Sequence, residues 1–136
     1  DRDVEESGIL DQGKENGVGF IAFSPLAQGL LTDRYLDGIP ADSRIAHGGH
    51  LKKESLTETR LYQIKALNEM AERRGQNLAE MSLSWVLKDE RVTSVIVGAS
   101  SVNQIEKNLK ALQGSSFSQE ELQQINDICS GDCGFE

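Results

Sequence analysis

The sequence has few of the residues that would place it in several large classes of protein. It has 14 lysines and arginines against 22 acidic residues, a formal net charge of −8. Non-specific nucleic-acid binding depends on basic residues that neutralise phosphates, so we expect no nucleic-acid partner. The only cysteines are Cys129 and Cys133, too few for a disulfide scaffold and without the further ligands of a structural zinc site. We interpret both as ordinary thiols and expect a cytoplasmic setting.

Long apolar runs are also missing. No stretch approaches the roughly 20 residues that cross a membrane, so we expect no membrane span. Residues 1–6 are charged where a signal peptide would need an apolar stretch. Apolar residues make up 38% of the chain and charged residues 26%, which are the proportions of a globular domain rather than of a disordered tail. We expect residues 1–136 to belong to one domain.

Two short apolar runs predict buried strands. The first covers residues 18–23 and ends at the turn residues Ser24 and Pro25. The second covers residues 92–97, is rich in β-branched residues, and ends at Gly98.

Periodic apolar residues predict helices in most of the remaining chain. Residues 4–16 are typical of a helix end that stops at Asn16-Gly17, and residues 26–36 of a short helix or turn. A longer helix is expected from near Ser55 or Thr57 to about Arg74, with Gly75 at its end. Three more helices are expected to begin at capping pairs, namely Asn77 with Glu80, Ser101 with Gln104, and Ser118 with Glu121.

This order of elements predicts an α/β fold that belongs to something larger. Strands separated by helices are expected to pair in parallel through crossover connections. Because both runs are apolar throughout, both faces of the sheet are expected to be buried. Two parallel strands cannot bury two faces and close their own edges. A barrel of eight βα units needs about 250 residues, so two units with extra helices fit this length.

The loop after the first strand is the first candidate for function. It contains Ser24, which offers a hydroxyl, and Pro25, which fixes the turn, while Ala27 and Gly29 let the backbone approach a ligand closely. In a parallel barrel the loops after the strands form the functional face. An ordinary connecting loop remains the alternative interpretation.

The loop after the second strand is the other candidate. Gly98, Ser100 and Ser101 lead directly into a helix, whose first turn offers unpaired N–H groups and a positive dipole end to an anion. Gln104 and Asn108 are four residues apart and share one face of that helix, where they could reach over a nucleotide base. The alternative is that Ser101 and Gln104 only cap the helix.

A glycine-rich loop lies between the two candidates. It contains Arg44, a residue type that grips phosphate through two parallel bonds, although a lone arginine in a loop is usually only solvated. His47 and His50 have no carboxylate or thiol pattern around them, so we expect neither a metal site nor a catalytic role for them.

Taken together, these stretches resemble the C-terminal portion of the aldo-keto reductases, in the branch that includes the potassium-channel β subunits and glyceraldehyde-3-phosphate-reductase-like enzymes. The resemblance extends from about Val4 to Ile128. Three motifs carry it in order: Ser24-Pro25-Leu26-Ala27 with Gly29-Leu30-Leu31-Thr32 and Arg34-Tyr35, Gly38-Ile39-Pro40 with Ser43-Arg44, and Gly98-Ala99-Ser100 with Gln104 and Asn108. It implies the last two βα units of a (β/α)8 TIM barrel, with NADPH as cofactor and a small carbonyl compound as substrate, in a possible homo-oligomer.

The resemblance also implies roles for individual residues. Ser24 and Leu26 would line the pyrophosphate and ribose, and Arg34 would contact a phosphate. Arg44 and Ser100 would approach the 2′-phosphate that distinguishes NADPH from NADH. Gln104 and Asn108 would meet the adenine, and Pro25, Gln28 and Gly98 complete the set. Lys107 and Asp42 depart from the pattern of many relatives, which puts contacts to the adenine and a stacking contact in doubt.

The catalytic residues of the family have no counterpart in the sequence. The family uses a tyrosine acid supported by lysine, aspartate and histidine, and Tyr35 and Tyr62 stand in other contexts. We therefore assign no catalytic residue and expect the chain to be a fragment of an NADPH-dependent reductase. A regulatory subunit that binds NADPH with little turnover, and an oligomerisation piece, are the alternatives.

Overall fold

The computed structural model describes residues 3–38, 56–114 and 116–130. Within these ranges the helices and strands follow one another in this order: α1 (Asp3–Glu6), α2 (Ile9–Glu15), β1 (Phe20–Phe23), α3 (Glu58–Arg73), α4 (Leu78–Leu87), β2 (Val92–Ile96), α5 (Val102–Lys110) and α6 (Gln119–Ser130). Single 3-10 turns cover Ala27–Gly29, Asp33–Tyr35 and Ala111–Gln113. No helix in these ranges is long and apolar enough to span a membrane.

Most of the predicted helix boundaries are confirmed. Thr57 caps α3 by accepting a bond from the backbone N–H of Arg60, and Gly75 follows the helix with a φ of 69°, a conformation that glycine adopts without strain. Asn77 with Glu80 forms a complete capping box. The segment predicted as one helix end over residues 4–16 is two helices, because Gly8 between them has a φ of 78°.

Ser118 and Glu121 also form the reciprocal pair that the sequence predicts. The Ser118 N–H donates to Glu121 Oε2 at 2.7 Å, and the Glu121 N–H donates to Ser118 Oγ at 3.1 Å. Cys129 is exposed near the end of the same helix, α6. Cys133, His47 and His50 lie outside the described residues.

The two strands pair in parallel, as predicted, with Phe23 opposite Ile96. The expectation that both faces of the sheet are buried is wrong for this chain. Ile21, Phe23 and Ile96 are 58%, 82% and 55% exposed. Both strands are therefore apolar on a face that nothing in the described part of the chain covers.

The core lies among the helices. The helix α3 contacts α4 and α6. Apolar residues at spacings of three predict one buried face of this helix, and of them Ile64, Leu67 and Met70 are buried while Leu61 is half-buried. The buried residues that pack together are Ile64, Leu67, Met70, Ala71, Leu78, Met81 and Ile125. Burial of these side chains supplies the main stabilisation of the helical layer.

Arg74 joins the end of α3 to the connection between α5 and α6. Its Nε donates to Gln76 Oε1 at 2.8 Å, and its Nη1 to Glu121 Oε1 at 2.5 Å. Its Nη2 donates to the carbonyl oxygens of Gly114 and Ser116, each at 2.9 Å. One guanidinium group thus holds three separate segments of backbone and side chain in place.

The same network reaches α4 through a buried serine. Gln76 Nε2 donates to Ser84 Oγ at 3.1 Å, and Ser84 Oγ lies 2.8 Å from the carbonyl oxygen of Ala111, just after α5. Ser84 is fully buried. Ser84 Oγ also lies 2.9 Å from the carbonyl oxygen of Glu80, one turn earlier in α4, so this buried hydroxyl connects α4 to the residue that follows α5.

Ion pairs connect the N-terminal helices to the entrance of β2. Arg91 donates to Asp89 Oδ2 at 2.5 Å and to Asp11 Oδ1 at 2.7 Å, and Lys14 pairs with Glu90. The hydrogen bonds from Arg91 lower the pKa of Asp89 to about 2. This end of the sheet is opposite to the loops that follow the strands.

We expect the stability of the chain to fall as the pH is lowered from 4 towards 2. The charged form of Asp89 is stabilised in the folded state. Its contribution to the free energy of unfolding is therefore complete above the unfolded pKa of 3.8 and is lost as the pH falls through the folded pKa of about 2. The contribution is about 2 kcal/mol or less, since the pair is partly exposed. Denaturant unfolding at a series of pH values would measure it. Asp89→Asn should flatten this slope, and an unchanged slope in that variant would contradict the assignment.

Candidate functional site

The pairing of the strands brings the two candidate loops to one edge of the sheet. Because Phe23 lies opposite Ile96 in parallel register, Ser24 and Val97 leave the sheet side by side. We assigned ten residues to a cofactor from the sequence. These two loops and the helix α5 contain eight of them: Ser24, Pro25, Leu26, Gln28, Gly98, Ser100, Gln104 and Asn108. Arg34 lies farther along the first connection, and Arg44 lies outside the described residues.

The first loop has an unusual backbone. Ser24, Ala27 and Gln28 have φ angles of 55°, 47° and 59°, in the left-handed region that residues other than glycine rarely adopt. The turn is closed by hydrogen bonds from the Ala27 N–H to the Ser24 carbonyl oxygen at 3.0 Å and from the Leu31 N–H to the Leu26 carbonyl oxygen at 3.2 Å. Three such residues within five positions are typical of a functional loop, where strain is kept to fix backbone direction.

The side chains of this loop differ in exposure. Ser24, Pro25 and Leu26 are half-buried, while Gln28 is exposed. The Ser24 side chain thus lies where β1 ends, and the Gln28 side chain is open to solvent. The conformation of Ala27 and Gln28 could not be predicted, since neither residue type signals a left-handed turn.

Thr32 is a positioning residue that the sequence analysis missed. Its Oγ1 donates to the Gly29 carbonyl oxygen at 2.7 Å and accepts from the Arg34 N–H at 3.3 Å. It therefore begins the 3-10 turn Asp33–Tyr35, whose Tyr35 is buried while Arg34 is exposed. A threonine two residues before the arginine is a recognisable sign of such a turn.

The second loop places several donors at the start of α5. Ser101 accepts a bond from the Gln104 N–H at 3.3 Å, as the capping prediction required. A reciprocal pair would also have the Ser101 N–H donate to the Gln104 side chain, and this part of the prediction is wrong. Gln104 Oε1 instead accepts from the Ser100 N–H at 2.7 Å and from the Ser100 hydroxyl at 3.1 Å. Two serines in succession made both arrangements compatible with the sequence.

These groups fit a phosphate. Gly98, Ser100 and Gln104 are exposed, and a Cβ on Gly98 would meet no atom within 4 Å. The first turn of α5 contains no acidic residue, while Lys107 and Lys110 lie in its last turn, so the positive end of the helix dipole stays uncompensated. Asn108, one turn beyond Gln104, is half-buried. The arrangement can hold an anion with backbone and hydroxyl donors.

A shallow groove of about 480 Å³ lies at the other end of β2. Residues 88–90, which precede this strand, form one side, and the other side comes from the segment before α6 and its first turns. None of the described residues that we assigned to the cofactor lines it. This groove is therefore separate from the candidate site.

The comparisons with known proteins agree on one family. The sequence profile described as the aldo/keto reductase family matches residues 2–129. L-glyceraldehyde 3-phosphate reductase of Escherichia coli strain K12 is 54% identical over 127 residues, which is 90% of this chain and 37% of that protein. A probable voltage-gated potassium channel subunit beta of Oryza sativa is 40% identical over 110 residues, 79% of this chain and 34% of that protein.

Solved structures show the same relationship in three dimensions. The glycerol dehydrogenase from Gluconobacter oxydans superposes with a TM-score of 0.72 at 25% identity, over 96% of this chain and 40% of that one. A thermostable aldo-keto reductase solved with the inhibitor epalrestat superposes with a TM-score of 0.60 over 94% of this chain and 36% of that one. The chain spans little more than a third of the length of these relatives, and its fold is the corresponding part of their α/β barrel. From the profile match and these likenesses, the chain belongs to the aldo-keto reductase family.

Proposed function

We propose that this chain supplies the phosphate- and adenine-binding part of the cofactor site of an NADPH-dependent reductase of aldehydes and ketones. The observation that carries the proposal is the meeting of the strained Ser24–Gln28 loop with the donor-rich start of α5 at one edge of the sheet. Barrels of this kind commonly bind phosphate at the loops after their last two strands. The 54% identity to a protein named as a reductase supports the reaction class.

Each part of the site has a separate task in this proposal. Ser24, Leu26 and Arg34 line the pyrophosphate and its ribose, with Pro25 and Gln28 shaping the turn. The 2′-phosphate accepts hydrogen bonds from the Ser100 N–H and hydroxyl, so its oxygens replace Gln104 Oε1 as the acceptor for these two donors. Gln104 and Asn108 then meet the adenine, and Gly98 leaves room for the ligand. Arg44 adds a second contact to the 2′-phosphate.

The chemistry divides between this chain and the rest of the barrel. When bound, NADPH supplies the hydride that adds to a carbonyl carbon. The residues here bind and orient its phosphate and adenine ends, which holds the nicotinamide in one position relative to the substrate. The acid that protonates the carbonyl oxygen is contributed from outside these residues. In this account the 136 residues are one piece of the enzyme, which works in the cytoplasm.

A turnover assay tests the proposal. The complete barrel containing this chain is mixed with small aldehydes, and cofactor absorbance is followed with NADPH and with NADH. Oxidation of NADPH well above that of NADH is the expected result, because only NADPH offers a 2′-phosphate to Ser100. Binding of neither cofactor would overturn the site assignment.

A regulatory or interaction subunit is the second candidate function. It is favoured by the 40% identity to a protein named as a potassium channel subunit beta. Such a subunit would keep the same nucleotide pocket and would assemble as a homo-oligomer. Tight NADPH binding without turnover in the assay above would select it, while rapid turnover would select the reductase.

A further inference from the structure

A buried hydroxyl that takes no part in the candidate site meets the C-terminal end of α5. Ser84, in α4, is fully buried. Its Oγ donates to the carbonyl oxygen of Ala111 at 2.8 Å and to that of Glu80 at 2.9 Å. Glu80 belongs to the same helix as the serine, whereas Ala111 is the C-cap of α5. The hydroxyl therefore joins α4 to one defined atom at the end of α5.

Gln76 holds this hydroxyl in its orientation. Its Nε2 donates to Ser84 Oγ at 3.1 Å, so the oxygen accepts from Gln76 and its single proton is left for the carbonyl acceptors. Gln76 Oε1 accepts in turn from Arg74 Nε at 2.8 Å. Both ends of the amide are thus engaged, and it cannot rotate without the loss of a hydrogen bond.

Gly114 packs directly against the Gln76 amide. Its φ is −122°, in the negative range that other residues also adopt, so the backbone conformation does not require glycine here. A Cβ at this position would instead lie 2.3 Å from Gln76 Nε2 and 3.0 Å from Gln76 Cδ. Glycine therefore allows the close approach of the connection that follows α5. We refer to Gln76, Ser84 and Gly114 as the α5 anchor.

The position of α5 along its own axis depends on this end of the helix. None of the residues of α5 is buried in the part of the chain that the structure describes, and the side chains of Ile105 and Leu109 that it exposes are apolar. Apolar packing is non-directional and leaves a helix free to shift slightly along its axis, whereas hydrogen bonds have a narrow range of distance and angle. The α5 anchor therefore defines the axial position of the helix.

We propose that Ser84 is a positioning residue for the 2′-phosphate of the cofactor and acts through α5. This role rests on the proposed function, in which Ser100 at the start of the helix binds that phosphate. A helix of nine residues is rigid over its length of about 14 Å, so a shift at the Ala111 end reaches the Ser100 end. Binding sites tolerate displacements of only about 0.5 Å. The α5 anchor thus sets how well the Ser100 donors meet the phosphate.

The affinities of the complete barrel for NADPH and NADH test this role. Ser84→Ala removes the bond to Ala111 and should weaken NADPH binding about 10-fold, because a small displacement of charge-assisted bonds is costly. NADH should lose about threefold or less, since the amides of Gln104 and Asn108 can follow the adenine by rotation, while the Ser100 N–H moves only with the backbone. Quenching of protein fluorescence gives both dissociation constants, and the far-ultraviolet helical signal shows that the variant is folded.

Ser82→Ala is the matched control in the same helix. Ser82 donates to the Leu78 carbonyl oxygen at 2.7 Å, one turn earlier, as Ser84 does to Glu80, and among the described residues it has no bond to α5. Its loss should leave both dissociation constants within about twofold of the original values, as for changes away from a site.

Gly114→Ala is a second variant, and it leaves Ser84 in place. Its Cβ displaces the Gln76 amide from the serine hydroxyl, so it should also weaken NADPH binding more than NADH binding. If Ser84→Ala does not fold, Gly114→Ala decides alone.

A loss selective for NADPH in the anchor variants, absent in Ser82→Ala, supports the positioning role. Equal losses for both cofactors, or unchanged binding, in a folded anchor variant overturn it and leave the proposed function standing, because the original protein still prefers NADPH. If the original protein binds neither cofactor, the proposed function fails and the role of Ser84 fails with it.

Discussion

Replacing Ser100 with aspartate is expected to weaken NADPH binding to the complete barrel about 100-fold, or ~2.7 kcal/mol. The Ser100 N–H and hydroxyl both meet a single acceptor, Gln104 Oε1, and stand at the exposed start of α5. A carboxylate at this position repels the 2′-phosphate that these donors are proposed to bind. NADH lacks that phosphate, so its affinity should change by about threefold or less, the size of a screened surface effect.

The aspartate should leave the fold intact, because Ser100 is exposed and the N-cap of α5 is its neighbour Ser101, which is unchanged. The dissociation constants of both cofactors are measured by the quenching of protein fluorescence. Gln113→Asp is the matched control. Gln113 is exposed just beyond the C-terminal end of α5, so this substitution adds the same charge at the other end of the helix. Equal losses for NADPH and NADH in Ser100→Asp would show that Ser100 does not contact the 2′-phosphate.

Replacing Arg74 with methionine is expected to lower the free energy of unfolding by about 3 kcal/mol, the range found when one partner of a partly buried charged network is removed. The change leaves Glu121 without its ion pair and the carbonyl oxygens of Gly114 and Ser116 without their donor. It also removes the cation that lies 3.9 Å from the centre of the Phe117 ring. Methionine keeps most of the apolar length, so packing changes little.

Arg73→Met provides the control one residue away. Arg73 is exposed, and its removal should cost about 0.5 kcal/mol or less, as for other surface changes. Urea denaturation followed by the helical signal at far-ultraviolet wavelengths measures both variants. If the two variants lose equal stability, the Arg74 network does not hold α6 against the rest of the helical layer.

The elements that were predicted well are those whose signal is local. The capping boxes at Asn77 and Ser118 and the helix end at Gly75 depend on residues within one turn, and the structure has each of them. The parallel pairing of the strands was also predictable, because strands separated by helices commonly pair in parallel through crossover connections. The family that the motifs predicted is confirmed by the profile match over residues 2–129.

The features that were missed depend on groups distant in the sequence or outside it. Burial of Phe23 and Ile96 was predicted from their apolar character, yet what covers a strand face is supplied by other strands. The role of Arg74 depends on residues 40 to 47 positions away. Gln104 could pair with Ser100 or with Ser101 at almost the same spacing, and only the loop conformation decides between them.

A crystal structure of the complete barrel with NADPH would test the central claim most directly. We expect the 2′-phosphate within about 3 Å of the Ser100 N–H and hydroxyl, the usual length of a hydrogen bond to phosphate. We also expect the pyrophosphate to lie against the Ser24–Gln28 loop, with the Gln104 amide turned towards the adenine. A cofactor whose phosphates lie away from both loops that follow β1 and β2 would contradict it.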